Sequence, residues 1–188
     1  PSRRELALRA LRNLADTFED HGGNRVALVA FAAQARLLFP LTHDCDYLRH
    51  TLKQIEADDI PKLSIDEPTS GTRIGAALKL ATDASDPART NRPIIVLLSD
   101  GDDPVDDDEW RQGVAAANEN HLRIHVMGIG DPQRAETIPA GREVVEYEGK
   151  PVRTRLNEKV LREIAGQTGG VYLPAHTQTL PLGVFVLH

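Results

Sequence analysis

A carboxylate ends an apolar run in "RPIIVLLSDGDDPVDDDEW" (92–110), and six more acids follow it by position 109. A carboxylate placed directly at the end of a buried strand is costly without a partner. We therefore assign Asp100 to a cation or ligand site. The acids at 106–109 are instead predicted to cap a helix and fill its first turn, where negative charge matches the helix dipole.

A second segment, "PTSGTRIGAAL" (68–78), carries two hydroxyl residues, Ser70 and Thr72, just before a predicted helix. Taken alone, either hydroxyl is more typical of a helix N-cap. Ligands of parallel sheets bind beyond the carboxyl ends of the strands, so we expect this segment to meet Asp100 there. A helix start beside a carboxylate, with a small hydroxyl between them, suits a hard divalent cation held by oxygen.

Other chemistry has weaker support. "GIGDP" (128–132) lacks the third glycine of a dinucleotide fingerprint and is read as a strand end and turn. None of the seven histidines has helical ligand spacing to another His or Cys, which argues against zinc. A Ser-His-Asp triad stays open by residue order alone, although there is no G-x-S-x-G motif. Cys45 has no evident base nearby and is read as structural.

The elements that must position these residues follow from apolar periodicity. A capping box at Ser2 and Glu5 predicts a first helix that ends at Gly22. Further helices are predicted over 44–56, from Ile74 to about Asp86, over 106–119 and over 157–167, and strands over 25–31, 35–39, 93–98, 122–129 and 170–173. Only three residues separate the first two strands, so that pair must be antiparallel. Strand 93–98 is the most apolar and is predicted to be central.

Strands alternating with helices predict an α/β fold: a doubly wound, Rossmann-like and mostly parallel sheet with strand 35–39 as an antiparallel edge. We expect one domain over 1–188, with a small hairpin insertion at about 142–155 around Gly149. A net charge of −6 argues against nucleic acid or an anionic membrane surface as the main partner. No run of 18 apolar residues occurs, so we expect no membrane contact by these residues.

Both ends of the sequence predict that the chain is part of a longer protein. Pro1 stands at what already looks like a helix start, and "PLGVFVLH" (181–188) stops within an apolar run. Residues upstream of Pro1 are therefore expected to belong to the same domain.

Five segments occur here in a specific order: "NRVALVAFAAQARLLFPLTHD", "SGTRIGAALKLA", "RPIIVLLSDGDD", "HVMGIGD" and "LREIAGQTGGVYLPA". Together they resemble the von Willebrand factor type A (vWA) domain, in particular its bacterial branch related to the aerotolerance (Bat) proteins. The resemblance implies a metal-ion-dependent adhesion site for Mg²⁺, or Mn²⁺ or Ca²⁺, with Thr72 and Asp100 as ligands. It also implies a partner protein whose acidic side chain completes the metal site, and a parent protein that is membrane-anchored.

This sequence departs from the family pattern at one point, because no D-x-S-x-S motif occurs in it. In the family that motif follows the first, central strand and precedes the first helix. We therefore expect this strand and three of five side-chain ligands to be missing. The remaining site, Thr72 and Asp100 with Ser70 and Asp102 as accessory ligands, should hold a cation weakly or not at all.

A missing central strand would expose two sheet edges. We call the gap left by the missing strand, between strands 25–31 and 93–98, the slot. It could be filled by another chain, giving a homo-oligomer, by a shifted pairing of strands 25–31 and 93–98, or by residues 183–188. The leading functional prediction is a non-enzymatic, metal-dependent protein-binding module. The alternative is a small α/β hydrolase or phosphatase using Asp100, although no strand end supplies the second aspartate and lysine that a phosphatase needs. A nucleotide-binding regulator would need a glycine-rich phosphate cradle, and none is found.

Overall fold

The computed structural model describes residues 2–57, 72–85, 93–103, 107–137, 139–140, 143–144, 146–147, 149–151 and 153–175. Ser70, Asp106 and the terminal segment 183–188, all singled out from the sequence, lie outside the described residues. The helices are α1 Arg3–His21, α2 Cys45–Glu56, α3 Ile74–Asp83, α4 Trp110–Glu119 and α5 Glu158–Gln167. The longer strands are β1 Val26–Phe31, β2 Ala35–Thr42, β3 Ile94–Ser99 and β4 Arg123–Gly128. Shorter strands are β5 Glu136–Thr137, β6 Pro139–Ala140, β7 Glu143–Val144, β8 Glu146–Tyr147, β9 Lys150–Pro151, β10 Arg153–Thr154 and β11 Tyr172–Pro174.

Helix α1 begins at the predicted capping box. The Ser2 hydroxyl accepts from the Glu5 amide at 3.2 Å, and the Ser2 amide donates to the Glu5 carboxylate at 2.7 Å. The helix ends where Gly22 takes a φ of 61°, a left-handed value that favours glycine. The capping box and the terminal glycine therefore mark the two ends of α1, as the sequence predicted.

The hairpin of β1 and β2 is antiparallel, as the three-residue connection required, with Phe31 opposite Ala35. Phe39 on β2 is fully buried and packs with Leu48 and Leu52 of α2 and with Leu8 and Ala15 of α1. The hairpin therefore has a core of its own, built with two helices.

The parallel sheet has the order β11–β4–β3, and both strand pairs run parallel. Its α/β character and parallel pairing confirm the predicted fold class. The structure differs in one respect: β4 lies in the middle, whereas β3, predicted to be central, is an edge strand of this sheet. Within the described ranges no ladder joins β3 to β1, so the hairpin forms a separate sheet.

Helices cover the parallel sheet on both faces, because successive side chains of a strand alternate between faces. Ile94, Val96 and Leu98 of β3 pack toward α1, whereas Leu97 packs toward α4 and α5. A fully buried aliphatic side chain stabilises a fold by about 1.5–3 kcal/mol, and of these four Leu97 is buried to that degree, whereas the other three are partly buried. Helix α1 is shared between the two sheets, since Ala10 and Leu14 face the parallel sheet while other residues face the hairpin.

Between β4 and α5 the chain forms three short antiparallel ladders. Strand β5 pairs with β10, β6 with β7, and β8 with β9. The last of these is a hairpin within the predicted 142–155 segment, and Gly149 turns it with a φ of 73°. The β5–β10 ladder brings Glu136 and Thr154 back to the carboxyl end of β3. Among the described residues, no helix combines the length and apolar character needed to cross a membrane.

Candidate functional site

Asp100 stands directly after β3, at the carboxyl-end rim of the parallel sheet, and its backbone is fixed on both sides. The Asp100 carbonyl accepts from the Asn157 amide at 2.7 Å, just before α5. Gly101 turns the chain with a φ of 68°, and its amide donates to the Ser99 hydroxyl at 3.0 Å. A Cβ at position 101 would lie only 2.8 Å from the Leu161 side chain. Glycine therefore lets the loop pass close over α5 and aim the Asp100 carboxylate at the rim.

The Asp100 carboxylate is bound by an arginine from the start of the chain. Arg3 Nη1 lies 2.8 Å from Asp100 Oδ2, and the two side chains are 17% and 20% exposed. The Thr154 hydroxyl donates to the same oxygen at 2.8 Å, and the Asp102 amide donates to Oδ1 at 3.2 Å. Both carboxylate oxygens therefore already have protein donors.

The Arg3 guanidinium is itself held on several sides. Nη1 also donates to the Thr154 hydroxyl at 3.1 Å, and Nη2 donates to the Thr154 carbonyl at 2.7 Å. Nε lies 3.4 Å from a Glu136 carboxylate oxygen. We call Arg3, Asp100, Thr154 and Glu136 the Arg3 cluster. It joins α1, the end of β3 and the β5–β10 ladder.

Thr72 lies at the predicted place, two residues before α3. A shallow pocket at the rim is lined by Thr72 together with Gly101, Asp103, Glu109 and Asn157. The two segments singled out from the sequence, the one around Thr72 and the one after Asp100, therefore do converge at one place.

The acids before α4 act differently from the prediction. Helix α4 begins at Trp110 rather than 106, and no side chain caps its own first turn. The Glu109 carboxylate instead accepts from the amides of Gly75 and Ala76 at 2.7 and 2.6 Å. These are unsatisfied donors in the first turn of α3, whose own N-cap residue makes no side-chain cap bond. The acid therefore caps a neighbouring helix.

Asp107 makes a second tie between the same segments. Its carboxylate lies 2.8 Å from Arg73 Nη1. The hydrogen bond from Arg73 lowers the pKa of Asp107, and the same bond to the Asp107 carboxylate raises the pKa of Arg73. Asp102, the proposed accessory ligand, instead accepts from the Arg155 amide at 3.3 Å.

Two glycines allow α3 and α4 to pack with their backbones close together. A Cβ at Gly113 would lie 2.7 Å from Leu78 Cβ and 2.8 Å from Gly75 Cα. A Cβ at Gly75 would meet the Glu109 carbonyl at 2.3 Å. We call Gly75, Gly113 and Glu109 the α3–α4 junction. This junction fixes the start of α3, which directly follows Thr72 and Arg73.

The described residues do not fit a divalent cation at Asp100. Such an ion takes about six oxygens, whereas here a guanidinium already lies against Asp100, the principal predicted carboxylate ligand. Within the part of the chain that the structure describes, no group of three or more His, Cys, Asp or Glu side chains is arranged to hold a metal. The rim therefore presents an internal cation in place of a complete oxygen site.

Sequence reasoning singled out Thr72 and Asp100 but not Arg3, Thr154 or Glu136. One signal was available: Arg3 is the first residue of α1, where the helix dipole disfavours a positive charge. Gly130 was read only as a turn, yet its φ of 121° and missing side chain leave room for the guanidinium. An added Cβ there would lie 3.1 Å from Arg3 Nε.

Comparison with known families gives one clear match. The von Willebrand factor type A domain matches residues 1–102, more than half of the chain. A curated relative from Borreliella burgdorferi, described as an uncharacterized protein, is 24% identical over 149 residues. This chain spans only 41% of that relative's length.

Solved structures are similar over nearly the whole chain. BatB from Bacteroides thetaiotaomicron, described as a conserved hypothetical protein, superposes with a TM-score of 0.77 at 26% identity, over 100% of this chain and 85% of its own. An aerotolerance-related membrane protein from Bacteroides fragilis gives 0.74 at 28% identity, over 93% and 81%. A von Willebrand factor type A protein from Catenulispora acidiphila gives 0.63 at 19% identity, over 96% and 35%, and is similar in fold.

Proposed function

The chain belongs to the von Willebrand factor type A domain family and is of the Bat type, and from that premise we propose that it is a protein-binding module of a bacterial assembly. Its binding surface is the carboxyl-end rim around Thr72 and Asp100. The partner is another protein, which contacts the rim with an acidic side chain.

The observation that carries this proposal is the convergence of two segments at the rim. The loop before α3 and the loop after β3 line one pocket, with Thr72 on one side and Gly101 on the other. Both are rigidly positioned, the first by the α3–α4 junction and the second by the Asn157 amide. Side chains held in this way lose little conformational entropy when a partner binds.

We further propose that binding is metal-dependent where a complete site exists, with Thr72 and Asp100 as ligands of Mg²⁺ or a related ion. Asp102 and Ser70 are accessory candidates. We propose that the site is incomplete in this chain, which by itself should bind metal weakly. The support is the family membership together with a pocket lined by Thr72 and by Gly101, the residue after Asp100.

Capture of partners by the purified domain tests the proposal. Proteins retained from the source organism by the wild type should be lost with Asp100→Ala or Thr72→Ala. A matched control, Glu119→Ala, removes an exposed acid at the far end of α4 and should retain them. Each captured protein is then purified, and its binding to the wild type and to each of the three variants is titrated with and without EDTA. Equal binding by the rim variants and the control would contradict the proposed surface.

We propose that the domain has no enzymatic activity. The carboxylate that the hydrolase alternative would use is bound by Arg3 and Thr154, which stabilise its charge and block its approach to a substrate. A screen of carboxyl and phosphate esters tests this. Turnover that disappears with Asp100→Asn would favour the hydrolase.

We propose two further properties of the intact protein. The similarity to an aerotolerance-related membrane protein supports a membrane-anchored parent. The apolar edges of β1 and β3, which share no ladder within the described ranges, favour pairing with a strand from another copy. Light scattering at increasing concentration should then detect a homo-oligomer, and a monomer at every concentration would contradict it.

A further inference from the structure

We propose that Arg3 acts as an internal cation at the rim, so that its guanidinium and a divalent metal ion compete for the Asp100 carboxylate. This inference concerns the same site as the proposed function and rests on it. It adds a second reason, beside the proposed incompleteness of the ligand set, why the described residues do not form a metal site although the carboxylate that the family would use is present.

The two terminal nitrogens of the Arg3 guanidinium donate to two different acceptors at the rim. Nη1 reaches Asp100 Oδ2 at 2.8 Å, and Nη2 reaches the Thr154 carbonyl at 2.7 Å. Arginine is suited to such planar contacts because its donors are rigidly arranged. The Thr154 hydroxyl completes the arrangement by accepting from Nη1 and donating to the same Asp100 oxygen. Asp100 Oδ2 therefore already has two donors, and Oδ1 accepts from the Asp102 amide.

The surroundings are adapted to the guanidinium. Glu136, on the β5–β10 ladder, supplies a second negative charge 3.4 Å from Nε. Gly130, two residues after β4, has a φ of 121°, and a Cβ there would lie only 3.1 Å from Nε. Arg3 is the first residue of α1 and is placed against the helix dipole, so it gains nothing from its own helix. Its partners across the fold account for its position.

Two cations cannot share Asp100 without strong repulsion. A divalent ion on the carboxylate would lie within a few ångströms of the guanidinium, where the two positive charges repel even though this partly exposed site is screened in part. Metal binding therefore requires Arg3 to leave the cluster. Since Arg3 links α1 to the β5–β10 ladder, its release would also remove the contacts between that helix and the ladder, while the Thr154 hydroxyl could still reach Asp100. Metal and the position of the ladder are thus coupled.

Titration calorimetry with MnCl₂ at fixed ionic strength tests the competition. Removing the guanidinium charge by Arg3→Gln should tighten Mn²⁺ binding by about tenfold or more over the wild type. The control Arg4→Gln removes the same charge from the same helical turn, but Arg4 contacts the Ile55 and Glu56 carbonyls and not Asp100. It should bind Mn²⁺ as the wild type does. Arg3→Gln combined with Asp100→Asn should lose the gain.

Arg3→Lys serves as a second test if Arg3→Gln fails to fold, as monitored by circular dichroism. Lysine keeps the charge but cannot contact Asp100, Thr154 and Glu136 through one rigid fork, so Mn²⁺ affinity should rise to an intermediate value. Equal Mn²⁺ affinity in the wild type and the Arg3 variants, including none detectable in any of them, would overturn the inference. Partner capture that still depends on Asp100 would leave the proposed function standing. Tighter metal binding without Asp100-dependent capture would refute the function alone.

Discussion

The α3–α4 junction depends on backbone atoms in close approach, whereas the Arg3 cluster depends on long side chains that reach across the fold. At the junction, a Cβ on Gly113 would lie 2.8 Å from the Gly75 backbone. In the cluster, the guanidinium and carboxylate are 17% and 20% exposed and meet at 2.8 Å. Both contacts position the rim. The first tolerates almost no displacement, while the second can open by rotation of side chains.

The same comparison separates two uses of acids from one acidic segment. Glu109 accepts from two amides of α3 that have no partner within their own helix. Asp100 is bound by the side chains of Arg3 and Thr154. A carboxylate on backbone amides is a fixed part of the scaffold. A carboxylate paired with an arginine can exchange that partner for another cation, and this makes Asp100 the better candidate for regulated binding.

The largest effect is expected at the junction. Gly113→Ala should lower the free energy of unfolding by about 2–3 kcal/mol, because overpacking against Leu78 and Gly75 exceeds the roughly 1 kcal/mol gained in helix propensity. Urea denaturation measures the change. The control is Gly166→Ala in α5, where an added Cβ meets nothing within 4 Å and should stabilise slightly. A neutral Gly113→Ala would show that the helices can separate freely.

Loss of the Glu109 carboxylate should have the next largest effect. Glu109→Ala leaves the Gly75 and Ala76 amides without their acceptor and should cost about 1–2 kcal/mol, comparable to removing an N-cap. Exchange of these two amides with solvent, followed by NMR, should accelerate more than elsewhere in the chain. Unchanged exchange at both positions would contradict the capping role.

Arg3→Gln should cost less, about 1 kcal/mol, because water can replace part of the contact at this partly exposed site. Its distinguishing feature is salt dependence: the difference from wild type should shrink in 1 M NaCl, where the Debye length is about 3 Å. The Glu109→Ala effect should change little under the same conditions. Arg9→Gln, an exposed position on the same helix, is the control.

The smallest effect concerns Asp107. Since Arg73 lowers its pKa in the folded state, this pair stabilises the fold above the unfolded pKa of about 4, and the contribution is lost as the pH falls through the lower folded value. Asp107→Asn should therefore slightly weaken the fold near neutral pH and flatten its acid dependence below pH 4. Melting temperatures from pH 2 to 7 measure this, and parallel curves for both chains would contradict it.

The sequence predicted the elements well because their signals are local. The capping box at Ser2 and the three-residue connection after Phe31 each constrain only neighbouring residues. Asp100 was identifiable for the same reason, since a carboxylate at the end of an apolar run is visible in the chain itself.

The remaining features depend on residues far apart in sequence. Arg3 and Asp100 are separated by 97 positions, and an arginine in a first turn does not indicate which carboxylate it meets. Glu109 was assigned to the wrong helix because an acid accepts from whichever unsatisfied amides lie within reach. The position of β3 at an edge also depends on which strands pair, and apolar content alone does not determine that.

The separation of β1 from β3 has a consequence for hydrogen exchange along the strands. In a parallel ladder, successive amides of a strand point to opposite sides, so β3 directs every second amide toward β4 and the others away from it, to an edge with no ladder partner among the described residues. Exchange along Ile94–Ser99 should then alternate between slow and fast, whereas β4, flanked by β3 and β11, should be protected throughout. Any strand that enters the slot would slow the fast set. The alternation along β3 is therefore a residue-by-residue record of how often that slot is filled in solution.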